Sequence, residues 1–158
     1  KQMQGLGQAD MVSSMASGLK EIKEPEKDET AIVVIDDSKM MLKLYQNKLS
    51  TMGFEPLCFN LPEQALPHIV QNRPHLVITD LNMPNISGLE LTREIRKEFT
   101  RKDLPILMIT TQSDFVEQEE ENVIISESVL SKSGINQILY KPFRDNDLKK
   151  AVHSLLKS

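Results

Sequence analysis

Short apolar runs alternate five times with longer segments of helical periodicity, and this rhythm limits what the chain can fold into more than any other feature. From Ala31 onward AIVVI is followed by KMMLKLYQNKLSTMG, FEPLCF by PEQALPHIVQN, and HLVIT by GLELTREIRKEF. LPILMIT is followed by a long segment from about 113 to 133, and QILY by DNDLKKAVHSLLK. The short runs are apolar without alternation, as strands buried on both faces should be. The longer ones carry apolar stripes, such as Met41, Tyr45, Leu49 and Met52, or Leu91, Ile95 and Phe99.

Five β/α units in succession predict a parallel sheet with helices on both faces. Right-handed crossovers leave few topologies, and the flavodoxin-like order 2-1-3-4-5 is the common five-strand solution. The expected fold is therefore an α/β, doubly wound (βα)5 domain over residues 30–158, preceded by an extension over 1–29. That extension holds Gly, Ser, Gln and Met, then the charged stretch KEIKEPEKDE with Pro25 as punctuation. Met11, Met15, Leu19 and Ile22 recur at helical spacing, which predicts a short amphipathic helix from about residue 9 to 23. Such a helix would pack on the domain, on a second copy as a homodimer, or on an upstream domain; a plain linker is the alternative. Lys as first residue suits a fragment of a longer chain.

Composition excludes several classes. At 39% hydrophobic and 27% charged, the 158 residues suit a soluble domain rather than a disordered or membrane-embedded chain. No apolar run approaches the roughly 20 residues that span a bilayer, and no basic-then-apolar leader is visible. A net charge of −4 without a basic stripe argues against nucleic-acid binding. The single Cys58, within FEPLCF, reads as a buried structural thiol, and a reducing, cytoplasmic setting follows.

In a sheet of this order the ligand site lies beyond the carboxyl ends of the strands, near the switch point between strands 1 and 3. Strand 1 ends in Asp36 and Asp37, strand 3 in Asp80, strand 4 in Thr110 and Thr111, and strand 5 in Lys141. Clustered carboxylates repel, so they call for a positive partner: a hard divalent cation, the Lys141 ammonium, or both. Carboxylate and carbonyl oxygens with room for water are the ligands Mg²⁺ prefers, usually beside a phosphate. The Thr110 hydroxyl and Lys141 ammonium would suit the remaining oxygens of a phosphoryl group. The competing reading is local: Asp36 and Asp37 before Ser38 could cap the first helix, and Asp80 a turn before Pro84.

These residues resemble the response-regulator receiver domains of two-component signalling, in particular the single-domain chemotaxis regulators. The resemblance rests on VVIDDS, on DLNMPNISG with Pro84 and Gly88, on Thr110 closing strand 4, and on Lys141-Pro142-Phe143. It implies that Asp80 is the phosphoacceptor, taking its phosphoryl group from a histidine kinase or phosphotransfer protein. It implies Mg²⁺ held directly by Asp37 and Asp80, by Asp36 through water and by the backbone carbonyl of Asn82, with Lys141 and Thr110 contacting the phosphoryl group. It also implies a cis Lys141–Pro142 bond and supporting places for Thr111, Pro142, Met83 and Ile138, with Met83 a gate beside the acceptor. The output would be a changed surface of the fourth helix, fifth strand and fifth helix, read by a downstream protein or effector domain.

Two features depart from the family pattern. Three residues before the lysine many receivers carry an aromatic; here the position is Ile138, with Tyr140 next to Lys141. The segment between Thr110 and Lys141 is longer by roughly nine residues and carries VEQEEEN, which favours a lengthened fourth helix or a charged loop. Pro67 should shorten, delay or kink the second helix. His68, His75 and His153 show no ligand spacing and suit packing or surface roles. A phosphorylation-independent interaction module is the alternative function. A phosphohydrolase is disfavoured because Asn82 stands where a second aspartate would serve, so a signalling module, not an enzyme, is expected. No GxxxxGK[ST] phosphate loop is present.

Overall fold

The computed structural model describes residues 30–111 and 132–157. The helix expected at about 9–23, and the acidic run and fourth helix expected after Thr111, lie outside the described residues. Five strands form one parallel sheet: β1 (Ile32–Ile35), β2 (Leu57–Phe59), β3 (Leu76–Thr79), β4 (Ile106–Thr111) and β5 (Gln137–Lys141). Their order is β2-β1-β3-β4-β5, the 2-1-3-4-5 arrangement expected from the sequence. The described helices are α1 (Lys39–Thr51), α2 (Pro62–Asn72), α3 (Gly88–Arg96) and the C-terminal α4 (Asp145–Lys157).

Successive strand residues point to opposite faces, so each central strand feeds two cores. Ile32 and Val34 of β1, Leu76 and Ile78 of β3, and Leu107 and Ile109 of β4 pack against α1 and α4 through Leu42, Tyr45, Leu49, Leu148, Val152 and Leu155. Val33, Ile35, Val77 and Ile106 pack on the other face against α2 and α3 through Ala65, Ile69, Leu91 and Ile95. This is why the strand sequences show no polar alternation: both faces of β1, β3 and β4 are covered. The edge strands differ. Leu57 of β2 is exposed and every residue of β5 is only half-buried, because an edge has one sheet neighbour and less helical cover.

Local signals fix the helix ends. Ser38 caps α1, its hydroxyl accepting the Met41 N–H at 3.2 Å. Ser87 and Glu90 form a reciprocal capping box on α3. Pro67, expected to interrupt the second helix, lies inside α2, which runs on to Asn72. A proline there forfeits the bond its missing N–H would make to Glu63, while burial of Ala65 and Ile69 on either side holds the turn in place.

The histidines take packing roles. His68 lies against Phe59, His153 edge-on to Phe54, and His75 Nδ1 accepts the Ala31 N–H at 2.9 Å while its own N–H donates to the Ala31 carbonyl at 2.8 Å. Cys58 is half-buried against the first core, and burial pushes its thiol pKa up. Among the described residues no helix is long and apolar enough to cross a membrane.

Candidate functional site

The sheet ladder itself delivers the acidic groups. The Asp36 N–H donates to the Phe59 carbonyl and the Asp80 N–H to the Ile35 carbonyl, both at 3.1 Å, so each aspartate is the first residue past its strand with its backbone still paired. Carboxylate oxygens of Asp36, Asp37 and Asp80, one from each, lie within 4.8 Å of one another. Asp36 and Asp80 are buried at 1% and 8% exposure, whereas Asp37 opens to solvent. Lys141, arriving from β5, places its Nζ 3.3 Å from Asp36 Oδ2 and 3.7 Å from Asp80 Oδ1.

Each buried carboxylate is further held by main chain: Asp36 Oδ1 accepts the Ser38 N–H at 2.9 Å and Asp80 Oδ1 the Leu81 N–H at 2.8 Å. Burial raises the Asp36 pKa above the usual 3.8; the Ser38 N–H and the Lys141 charge pull it down, and Asp37 adds to the rise. The capping alternative is thereby divided: Ser38 is the cap, and Asp36 supports it while facing Asp80 and Lys141. Three converging carboxylates, one open to water, fit a hard cation that takes oxygen ligands and retains part of its hydration.

The remaining expected residues surround this cluster. Thr110 is fully buried near the end of β4, beside Tyr140 in the pairing with β5, and Thr111 is paired with Lys141. Asn82 is exposed just beyond Asp80. Met83 is 9% exposed and packs within the α2–α3 core, which leaves its side chain little freedom to gate access. The Lys141–Pro142 bond is cis, as the resemblance implies. Ile138 and Tyr140 share one face of β5 and pack with Leu81, Leu89, Met108 and Ile135, so the aromatic on that face stands two positions later than in many receivers.

Gly88 completes the frame. Its N–H donates to the Leu81 carbonyl at 2.8 Å, and an added Cβ would stand 2.2 Å from the Asp80 carbonyl oxygen. Only glycine lets α3 begin this close to the Asp80 backbone.

Two residues escape the periodicity argument, Tyr45 on α1 and Arg96 at the far end of α3. Tyr45 reads as one more member of the α1 stripe, yet its hydroxyl is buried without a hydrogen-bond partner, and burial, with the charges of Asp36 and Asp80, drives its pKa far up. A polar-tipped residue within an apolar stripe, two turns behind an acidic pair, is the signal that could have singled it out. Arg96, on the last turn of α3, donates to the carbonyls of Gly134 and Leu104 at 2.7 and 2.9 Å and to Asn136 Oδ1 at 2.9 Å. Burial, with Arg101 nearby, lowers its pKa to about 10. It fixes the approach to β5, and no sequence spacing marks it.

Comparison with known proteins agrees with this geometry. A family model described as the response regulator receiver domain matches residues 32–153. Chemotaxis protein CheY1 of Helicobacter pylori is 32% identical over 127 residues, covering 79% of this chain and 95% of that protein. The protein named "Probable transcriptional regulator ycf27" of Porphyridium aerugineum is 30% identical over 127 residues; the match takes in 80% of this chain but 48% of that protein, so the chain spans about half its length. Among solved structures, the response regulator TrrA of Thermotoga maritima, in complex with Mg²⁺ and BeF, matches with a TM-score of 0.66 and 32% identity over 80% of this chain and 98% of that one.

Proposed function

The chain belongs to the response regulator receiver family, and from that premise we propose that it carries signals by accepting a phosphoryl group on Asp80. The observation that carries the reading is the convergence of Asp36, Asp37 and Asp80 within 4.8 Å beneath the Lys141 ammonium. The donor is a phosphohistidine of a histidine kinase or phosphotransfer protein. An Asp80 carboxylate oxygen forms the new bond to phosphorus, the P–N bond breaks, and the imidazole leaves with the electron pair. Asp37, Asp80 and the Asn82 carbonyl, with Asp36 through water, would hold Mg²⁺, which when bound would lower the repulsion between the anionic nucleophile and the anionic donor.

The protein's own groups do the rest. Main-chain bonds hold Asp80 in one place, Lys141 neutralises charge on the incoming group, and the Thr110 hydroxyl meets a phosphoryl oxygen. The phosphorylated side chain carries about −1.5 to −2 charges where the carboxylate carried one, and the added charge at a buried point alters the surface of the expected fourth helix, β5 and the C-terminal α4, where a downstream protein or effector domain docks. With Asn82 in place of a second carboxylate to activate water, the domain is a cytoplasmic switch rather than a turnover enzyme.

Intact mass after incubation with Mg²⁺ and a small phosphodonor tests the reading. A Mg²⁺-dependent phosphoryl adduct, lost in Asp80→Asn, is expected. A folded parent that takes up no phosphoryl group overturns it and leaves a phosphorylation-independent interaction module.

A further inference from the structure

Tyr45 is 1% exposed, and its hydroxyl is the one buried side-chain polar atom among the described residues without a hydrogen-bond partner. Such a donor weakens the state in which it is unpaired, and a partner gained in another state would account for its presence. Its ring stacks on Phe143, with centroids 6.0 Å apart and planes within 6°, so the phenol is fixed in orientation and an acceptor must come to it. Phe143 follows Lys141 by two residues, so the stack ties Tyr45 to the strand end that carries the ammonium. Asp36 and Asp80 lie within electrostatic reach of the phenol.

Asp36 has one oxygen on the Ser38 N–H and the other on Lys141. The same ammonium faces Asp80 across 3.7 Å, so charge arriving on Asp80 draws it away from Asp36. Asp36, itself 1% exposed, then loses the ammonium while a buried donor that has no partner lies within electrostatic reach. We propose that Tyr45 is a positioning residue of the phosphoryl site. Its hydroxyl takes over Asp36, directly or through one water, when Lys141 turns to the phosphoryl group. The inference rests on the receiver reading and deepens it, by supplying a phenolic partner on the α1 side of the sheet where Ile138 offers none on the other.

The test compares the parent with Tyr45→Phe, which deletes the one hydroxyl and keeps the stack on Phe143. Calorimetric titration with beryllofluoride in saturating Mg²⁺ is expected to show affinity reduced about two- to tenfold, the value of one hydrogen bond made only in the bound state. Mg²⁺ affinity without beryllofluoride is expected to be unchanged, and the denaturation midpoint of the free protein equal or higher. Two tyrosines and no tryptophan occur in the chain, so Tyr140→Phe leaves Tyr45 as sole reporter. Its near-ultraviolet absorption is expected to shift to the red with beryllofluoride, as a phenol does on donating to an anion.

Unchanged beryllofluoride affinity with no spectral shift overturns the proposal. So does an equal fall in Mg²⁺ affinity, or a loss of free-protein stability, either of which makes the role one of the resting fold. Failure of the parent itself to bind beryllofluoride overturns the receiver reading and this inference with it, whereas a parent that binds and a variant that matches it overturn this inference alone.

Discussion

Replacing Gly88 with alanine sets a methyl group 2.2 Å from the main-chain oxygen of Asp80 and 2.8 Å from Met108 Cε. The methionine end is flexible and can turn aside. The carbonyl cannot do so alone, because the Asp80 N–H is bonded to Ile35 and the Gly88 N–H to Leu81. Restoring an ordinary contact needs about 1 Å of separation, so either α3 retreats from its cap or the Asp80 backbone shifts. Overpacking of this kind costs about 1–3 kcal/mol, against a gain of up to about 1 kcal/mol from putting alanine for glycine in a helix. A net loss of about 1–2 kcal/mol is expected in the urea unfolding of Gly88→Ala. A 1 Å displacement of a nucleophile lowers its rate on the order of 100-fold, so Mg²⁺-dependent phosphorylation should fall by about that factor. A variant as stable as the parent, or more so, that is phosphorylated at the parent's rate would refute the claim that Gly88 is required by its closeness to Asp80.

Arg96→Met removes the donor shared by Gly134, Leu104 and Asn136 and leaves part-buried acceptors without it; a loss of about 2–3 kcal/mol in urea unfolding is expected, partly recovered in Arg96→Lys. Asp36 supplies a pH test with a definite sign. Its pKa is raised in the folded state above 3.8, so the folded protein holds that proton more tightly than the unfolded chain, and the ionised form weakens the fold once pH passes the raised value. In chelator at neutral pH, Asp36→Asn should therefore unfold at higher urea than the parent. That advantage should shrink as pH falls toward 3.8, where the parent's Asp36 becomes protonated in both states. An advantage that grows on acidification would contradict burial as the main cause.

The strand ends were legible because a doubly wound sheet converts position in sequence into position in space. Asp36, Asp80 and Lys141 each stand at the close of an apolar run, and parallel order brings those closes to one edge. The flanking β2 and β5 were less so: their runs look like those of buried strands, and only the sheet order shows that they are edges. Pro67 shows a related limit, since a local rule about proline carries no information about the core contacts of Ala65 and Ile69, and the helix runs on to Asn72. Tyr45 and Arg96 depend on contacts between residues distant in sequence, with Phe143 and with Gly134 and Asn136 respectively. No periodicity encodes which atom such a side chain finds at its far end.

The clasp between Ala31 and His75 has a mechanical consequence. β1 is the strand that the first 29 residues lead into, and it is bordered by β2 on one side and β3 on the other. A pull transmitted through residue 30 acts along the axis of β1, so it loads the hydrogen bonds of both borders in parallel, in shear, instead of unzipping them one after another. The paired Ala31 and His75 bonds stand at the front of that array and bear the load first. Tension from a tail or a tethered neighbour is thus resisted by the middle of the sheet at the opposite end from Asp80, and the acidic crevice can keep its geometry while the chain is under strain.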